Sequence, residues 1–94
     1  MDIRQLRYFL MIADEKQVSA AAKKLYMSQP PLSQQLKNLE ASVGEKLFER
    51  SGKYLEMTEA GKVLYKYALQ ITQLLEEAKN EVQDVSAGVD GQLS

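Results

Sequence analysis

The sequence predicts a mainly α fold: three short helices, a two-stranded β-hairpin and one long terminal helix. Three observations predict it. Apolar residues recur at helical spacing in separate segments bounded by capping residues. Two short runs rich in strand-forming residues flank Ser51-Gly52. After Thr58 an apolar repeat with alternating steps of three and four runs on nearly to the end of the chain.

The elements follow in order. Ile3, Leu6, Phe9, Leu10 and Ala13 lay one apolar stripe along a first helix over residues 3–15. A second, short helix is expected over Val18–Leu25, with Ser19 as its N-cap and with alanines that let it pack closely. Tyr26 and Met27 make a tight connection to Ser28, a second N-cap. The third helix is expected from about Gln29 to Val43. It tolerates Pro30 and Pro31 because the first turn has no intrahelical partner for its N–H groups. Leu32, Leu36, Leu39 and Val43 share one face, Pro30, Ser33, Gln34, Lys37 and Asn38 the opposite one, and Gly44 ends the helix in the left-handed conformation. Residues 47–50 and 53–57 are the expected strands, joined by Ser51-Gly52. Thr58 caps a final helix over 58–87. Along it Leu64, Tyr67, Ile71, Leu74, Ala78 and Val85 form a heptad-like seam broken at Glu81. That helix is roughly 40 Å long at ~1.5 Å per residue, too long for so small a body to cover.

A chain of 94 residues holds one small domain, and 45% hydrophobic with 27% charged residues is the composition of an ordinary globular fold. No apolar run approaches the roughly 20 residues of a membrane helix, and MDIRQLRYF lacks the layout of a secretory signal. A cytoplasmic, nucleoid-associated protein without membrane contact is expected. Cysteine and histidine are both absent, which excludes thiolate and imidazole metal sites, disulfides and Cys- or His-centred catalysis. Acids such as Glu76 and Glu77 lie on a helix with no pocket implied, so no catalytic residue, no metal and no enzymatic activity are expected. The net charge is −1, unevenly spread. Residues 1–53 hold nine bases and six acids, residues 54–94 three bases and seven acids. A basic front on an acidic back suits a nucleic-acid-reading head on a protein-contacting element, although imbalances of this size also arise on plain solvated surface.

Two short helices joined by a tight turn, the second with a polar outer face, define a helix-turn-helix. That outer face is either solvated surface or a reading face. Its richness in Ser33, Gln34, Gln35 and Asn38, where mere solvation would favour Glu and Lys, points to reading. Amides present donor and acceptor together, as adenine edges in a major groove require. Arg50 and Lys53 place two cations about the hairpin tip, where a wing would touch backbone or a narrow minor groove. Lys23, Lys24 and Arg4 suit solvation or phosphate steering.

The segments LRYFL (6–10), VSAAAKKLYMSQPPLSQQLKNLEASVGEKLFER (18–50) and LEMTEAGK (55–62) resemble, in order and spacing, the N-terminal domain of LysR-type bacterial transcriptional regulators. The resemblance covers residues 2 to about 87. It implies a winged helix-turn-helix over residues 1–57 (helix-turn-helix about 18–37, wing about 47–57) and an antiparallel linker helix over 58–87. Residues 88–94 would then open a hinge to an absent effector domain, since Gly91-Gln92-Leu93 resembles that domain's start. Gln29, Pro30, Pro31, Ser33, Gln34 and the wing cation Lys53 would contact double-stranded DNA, with Arg50 supporting the wing and Lys37 beside them. Leu64, Tyr67, Ile71, Leu74 and Ala78 would hold a homodimer on an imperfect inverted repeat, with higher oligomers open to the longer protein. No cofactor is expected on this chain, because a small-molecule effector would bind the missing domain. Many members carry arginine where Gln34 and Lys53 stand, so target preference does not transfer from relatives. The rival reading is a pure dimerisation module, which the heptad seam alone would serve.

Overall fold

The computed structural model describes residues 1–86, and the expected hinge over 88–94 lies outside the described residues. Helix α1 (Ile3–Glu15) starts where the Asp2 carboxylate accepts the Gln5 N–H at 2.9 Å. It buries Leu6, Phe9, Ile12 and Ala13. Ile12, absent from the expected stripe, is fully buried, while Leu10 is only half-buried. The buried arc is wider than one stripe because α1 is the central strut, packed by all three other helices and by the hairpin. It ends at Lys16, in the left-handed region at φ 64°.

Helix α2 (Val18–Lys24) begins one residue before the expected cap. Gln17 is its N-cap, and the Ala21 N–H to Gln17 carbonyl bond already closes the first turn, which leaves Ser19 inside the helix and exposed. Ala21 and Ala22 are buried against the neighbouring helices. At the C-terminal end the Met27 N–H reaches back to the Ala22 carbonyl and the Tyr26 N–H to Lys23, with Tyr26 at φ 55°. This crossed pair of bonds makes the turn tight.

Helix α3 (Gln29–Val43) fully buries Leu32 and Leu39, while Leu36 and Val43 are half-buried beside them. Ser28 is its N-cap without a side-chain capping bond. The reason is local: a capping hydroxyl accepts from the second or third helical N–H, and both positions are proline. Gly44 ends α3 at φ 78°, as the sequence predicts.

Strands β1 (Phe48–Ser51) and β2 (Tyr54–Met57) pair antiparallel, Phe48 with Met57, Glu49 with Glu56, Arg50 with Leu55 and Ser51 with Tyr54. The turn is therefore Gly52-Lys53, one residue later than expected. Gly52 supplies the positive φ (65°) at the first turn position, the position where a two-residue hairpin turn with one left-handed residue places glycine. Register is decided by packing. Leu55 is half-buried and its N–H donates to the Lys16 carbonyl at 2.8 Å, which fixes β2 against the end of α1. Phe48 packs on Phe9 with ring centroids 5.3 Å apart.

Helix α4 (Glu59–Ser86) is long, about 42 Å at ~1.5 Å per residue. Thr58 starts it: the hydroxyl accepts the Gly61 N–H at 3.0 Å and donates to the Lys46 carbonyl at 2.7 Å. Ala68 is fully buried, and Ala60, Leu64 and Tyr65 pack against the core beside it. The Tyr65 hydroxyl donates to Asp14 at 2.7 Å, and this hydrogen bond, with some desolvation and the Asp14 charge, holds the phenol above its ordinary pKa. Arg7 approaches Glu76 at 3.8 Å further along α4. Among the described residues no helix is long and apolar enough to cross a membrane.

Three elements meet at Leu47. Its side chain is buried, its N–H donates to the Glu40 carboxylate of α3 at 2.8 Å, and its carbonyl accepts the Thr58 N–H at 3.0 Å. Gly61 lies over that same carbonyl, and a Cβ at position 61 would overlap it well inside contact distance. The obstacle is backbone, which cannot swing aside as a side-chain tip can. Gly61→Ala is expected to destabilise the domain by about 3 kcal/mol or more, the upper range for overpacking. The thermal midpoint, measured at fixed protein concentration, should then fall by at least ~12 °C. Gly44→Ala, with open space around its Cβ, should cost less.

Candidate nucleic-acid interface

The buried line Leu32–Leu39 sets how α3 is rotated, and the opposite side faces solvent. Gln29, Pro30, Pro31, Gln34, Lys37 and Asn38 are all exposed there, while Ser33 is half-buried at the margin. The Gln34 side-chain N–H donates to the Asn38 oxygen at 3.0 Å, one helical turn on. This leaves the Gln34 oxygen and its second N–H open, the acceptor–donor pair that an adenine edge matches. Gln35 is not part of this face: it is half-buried, and its oxygen accepts from Gln5 of α1 at 3.3 Å. The two prolines also remove two of the N–H groups that a helix start otherwise offers to a phosphate. Ser28 and Gln29 retain theirs, and the Ser28 hydroxyl, relieved of capping, stands exposed at the same end.

The wing differs from expectation in a way that sharpens its role. Lys53 does not flank the turn but forms half of it, exposed at the tip. Arg50 is exposed on β1 opposite Leu55. Paired residues point to the same side of a sheet, so Arg50 stands on the body-facing side with Leu55 and Phe48. The outward side carries Glu49 directly across from Glu56, a like-charged pair that repels phosphate as well as itself. Only the tip and the inner edge of the wing offer positive charge to an anion.

Sequence patterning gave no sign of what aims the wing. Gln17, the N-cap of α2, donates to the Lys53 carbonyl at 3.4 Å, and Lys16 accepts from Leu55. The hairpin is thus tied at both its tip and its middle to the connection between α1 and α2. Lys24 lies 3.6 Å from Glu15, which partly neutralises it, whereas Lys23 is exposed in the last turn of α2.

The seam of α4 is divided. Leu64 is half-buried against the domain's own core. Tyr67, Ile71 and Leu74 are 49%, 40% and 64% exposed, and Ala78 and Val85 are exposed as well. Leu75 and Val82, not included in the expected seam, are also exposed and continue the row of Gly61 and Ala68 along the helix. The apolar surface is therefore broader than a two-position seam and continues beyond the reach of α1.

Comparison with known proteins agrees with this geometry. The family described as bacterial regulatory helix-turn-helix protein, lysR family, matches residues 3–62. The transcriptional regulator BsdA of Bacillus subtilis (strain 168) is 50% identical over 95 residues, covering 100% of this chain and 33% of BsdA. BudR of Klebsiella aerogenes, also an HTH-type transcriptional regulator, is 45% identical over 100% of this chain and 66% of its own length. The chain thus spans about a third to two thirds of these relatives. Among solved structures, the BenM_DBD/catB site 1 DNA complex superposes with a TM-score of 0.93 at 32% identity, covering 99% of this chain and 100% of that one. The CbnR_DBD–DNA complex does so at 0.86 and 37%, covering 92% and 99%. A matched segment of this length, on a winged helix-turn-helix with the same element order, places this chain in the LysR family of bacterial regulatory helix-turn-helix proteins.

Proposed function

We propose that this chain is the operator-reading part of a cytoplasmic transcriptional regulator, and that it reads an imperfect inverted repeat in double-stranded DNA as a homodimer. One observation carries the reading: the exposed N-terminal half of α3 presents the Gln34 amide with its acceptor and one donor open. The solved DNA complexes of BenM and CbnR DNA-binding domains support it. A pure dimerisation module would need neither this polar face nor Lys53 at the wing tip. α3 enters the major groove, the Lys53 tip meets backbone or minor groove, and α4 pairs with its copy. Any small-molecule effector belongs to the portion of the relatives that this chain does not span.

Selection of bound duplexes from a random pool supplies the target sequence. Against single-base variants of it, Gln34→Ala is expected to lower discrimination at one symmetric base-pair position by ~1–3 kcal/mol, with little change in affinity for random DNA. Gln34→Arg should move the preference there toward guanine. Equal loss on every variant with Gln34→Ala would make Gln34 a backbone contact.

A wing-tip cation acts mostly on backbone. Lys53→Ala should therefore weaken specific and random duplexes alike and make the salt dependence shallower by about 0.9 in log–log slope per wing, about 1.8 for the dimer. Retention of both affinity and slope refutes the wing assignment.

For assembly, Ile71→Asp puts a charge in the middle of the exposed apolar run of α4. Sedimentation at tens of micromolar should show a dimer for the unsubstituted chain and a monomer for the variant. A dimer that survives Ile71→Asp, or a monomeric unsubstituted chain, would place pairing elsewhere.

A further inference from the structure

We propose that Gln5 of α1 is a specificity-determining positioning residue: through Gln35 it locks the roll of α3, and so the aim of Gln34, without itself touching DNA. The inference rests on the reading of α3 as the recognition helix.

The packing of α3 sets its roll from one side, where Leu36 and Val43 are half-buried and the Glu40 carboxylate holds the Leu47 N–H. Leu32 and Leu39 are its two fully buried side chains, and at seven residues apart they fall almost on one line along the helix. Apolar contact is not directional, so a roll toward the opposite flank is resisted best by a directional bond on that flank. Gln35 sits on the flank of that line, on the side that leads round to Asn38 and Gln34. Its oxygen accepts from the Gln5 side chain at 3.3 Å, among the described residues the one side-chain hydrogen bond between α1 and α3. Gln5 is itself anchored, because its backbone N–H is held by the Asp2 cap. The lever arm is short and exacting. A side chain reaching about 5–6 Å from the helix axis moves by about 1 Å for a roll of about 10°. A paired contact to a base edge tolerates about half of that displacement.

The pair is poorly built for stability. The Gln5 oxygen is buried without a hydrogen-bond partner, a state that costs free energy and that an apolar side chain of similar shape would avoid. The amide pair thus adds direction to an interface that hydrophobic contact alone would hold as well.

The test is Gln5→Met, which keeps length and volume and removes the polar group, measured beside Gln5→Glu, whose carboxylate reverses the bond and accepts from the Gln35 N–H once that amide turns over. The thermal midpoint of Gln5→Met should be unchanged or higher, and its affinity for random duplex should stay within about twofold. Its discrimination between the selected target and single-base variants at the Gln34 position should fall at least about fivefold, and Gln5→Glu should retain most of that discrimination. Full discrimination in Gln5→Met overturns the proposal. So does a drop in thermal midpoint accompanied by parallel losses on target and random DNA, which would mark a merely structural contact. If Gln34→Ala leaves discrimination intact while Gln5→Met lowers it, the lock stands and the assignment of Gln34 as reader fails.

Discussion

The Leu47 peptide group is the joint on which the rest of this domain depends. Its N–H is held by the Glu40 carboxylate near the end of α3, and its carbonyl by the Thr58 N–H at the start of α4. The wing leaves from the next residue. Recognition helix, wing and long helix are therefore referred to one rigid unit of backbone. Buried peptide groups must be satisfied, and here the partners that satisfy them are the elements whose mutual orientation matters. Gly61 completes the joint by letting α4 lie on the Leu47 carbonyl, which no side chain would permit.

Helix α1 supplies the second frame of reference. The two residues that follow it, Lys16 and Gln17, tie down the wing, its N-terminal Gln5 meets α3, and its Asp14 and Arg7 meet α4. The exposed Arg7–Glu76 pair contributes little to stability by itself. The Asp14–Tyr65 bond is shorter and lies beside the buried Ala68 contact, so it acts together with packing that already fixes α4. A helix that faces three others and a hairpin converts each of these single contacts into an angle between working parts.

Much of this was legible in the sequence because it is periodic or local. Helix α3 and its glycine stop follow from spacing and from residues whose backbone preferences are strong. The exposed positions Gln34 and Lys37 follow once Leu32 and Leu39 are recognised as buried. The misreadings share a cause. Ser19 has the right chemistry for an N-cap, but helix α2 had already started at Val18 with Gln17 as its N-cap. Ser51-Gly52 is a good turn by composition, but the Leu55–Lys16 contact shifted the turn to Gly52-Lys53. Ile12 fell outside a single stripe because α1 is covered on several sides. Gln5–Gln35 and Tyr65–Asp14 join residues far apart in sequence and leave no periodic trace in it, so only the fold reveals them.

Charge decides how such a domain must work. The chain is net negative, and the outer side of the wing carries Glu49 against Glu56. Lys53 at the tip and Lys37 on α3 are exposed, and on the proposed reading each protomer would neutralise only a few phosphates through them. Counterion release scales with that number, so non-specific affinity would be correspondingly modest. A weakly attracted head gains discrimination from accurate placement of a few neutral groups more than from added charge, which makes the roll of α3 and the aim of the wing consequential. In the proposed homodimer, pairing through α4 would supply strength without extra cations. Once one head of such a dimer is bound, the second would meet its half-site at a high effective concentration, provided the long helix holds the two at the spacing of the repeat. In that proposed assembly the apolar run along α4 and the joint at Leu47 would serve one end: the first would bring two heads together, and the second would transmit the geometry of that pairing to the two α3 helices.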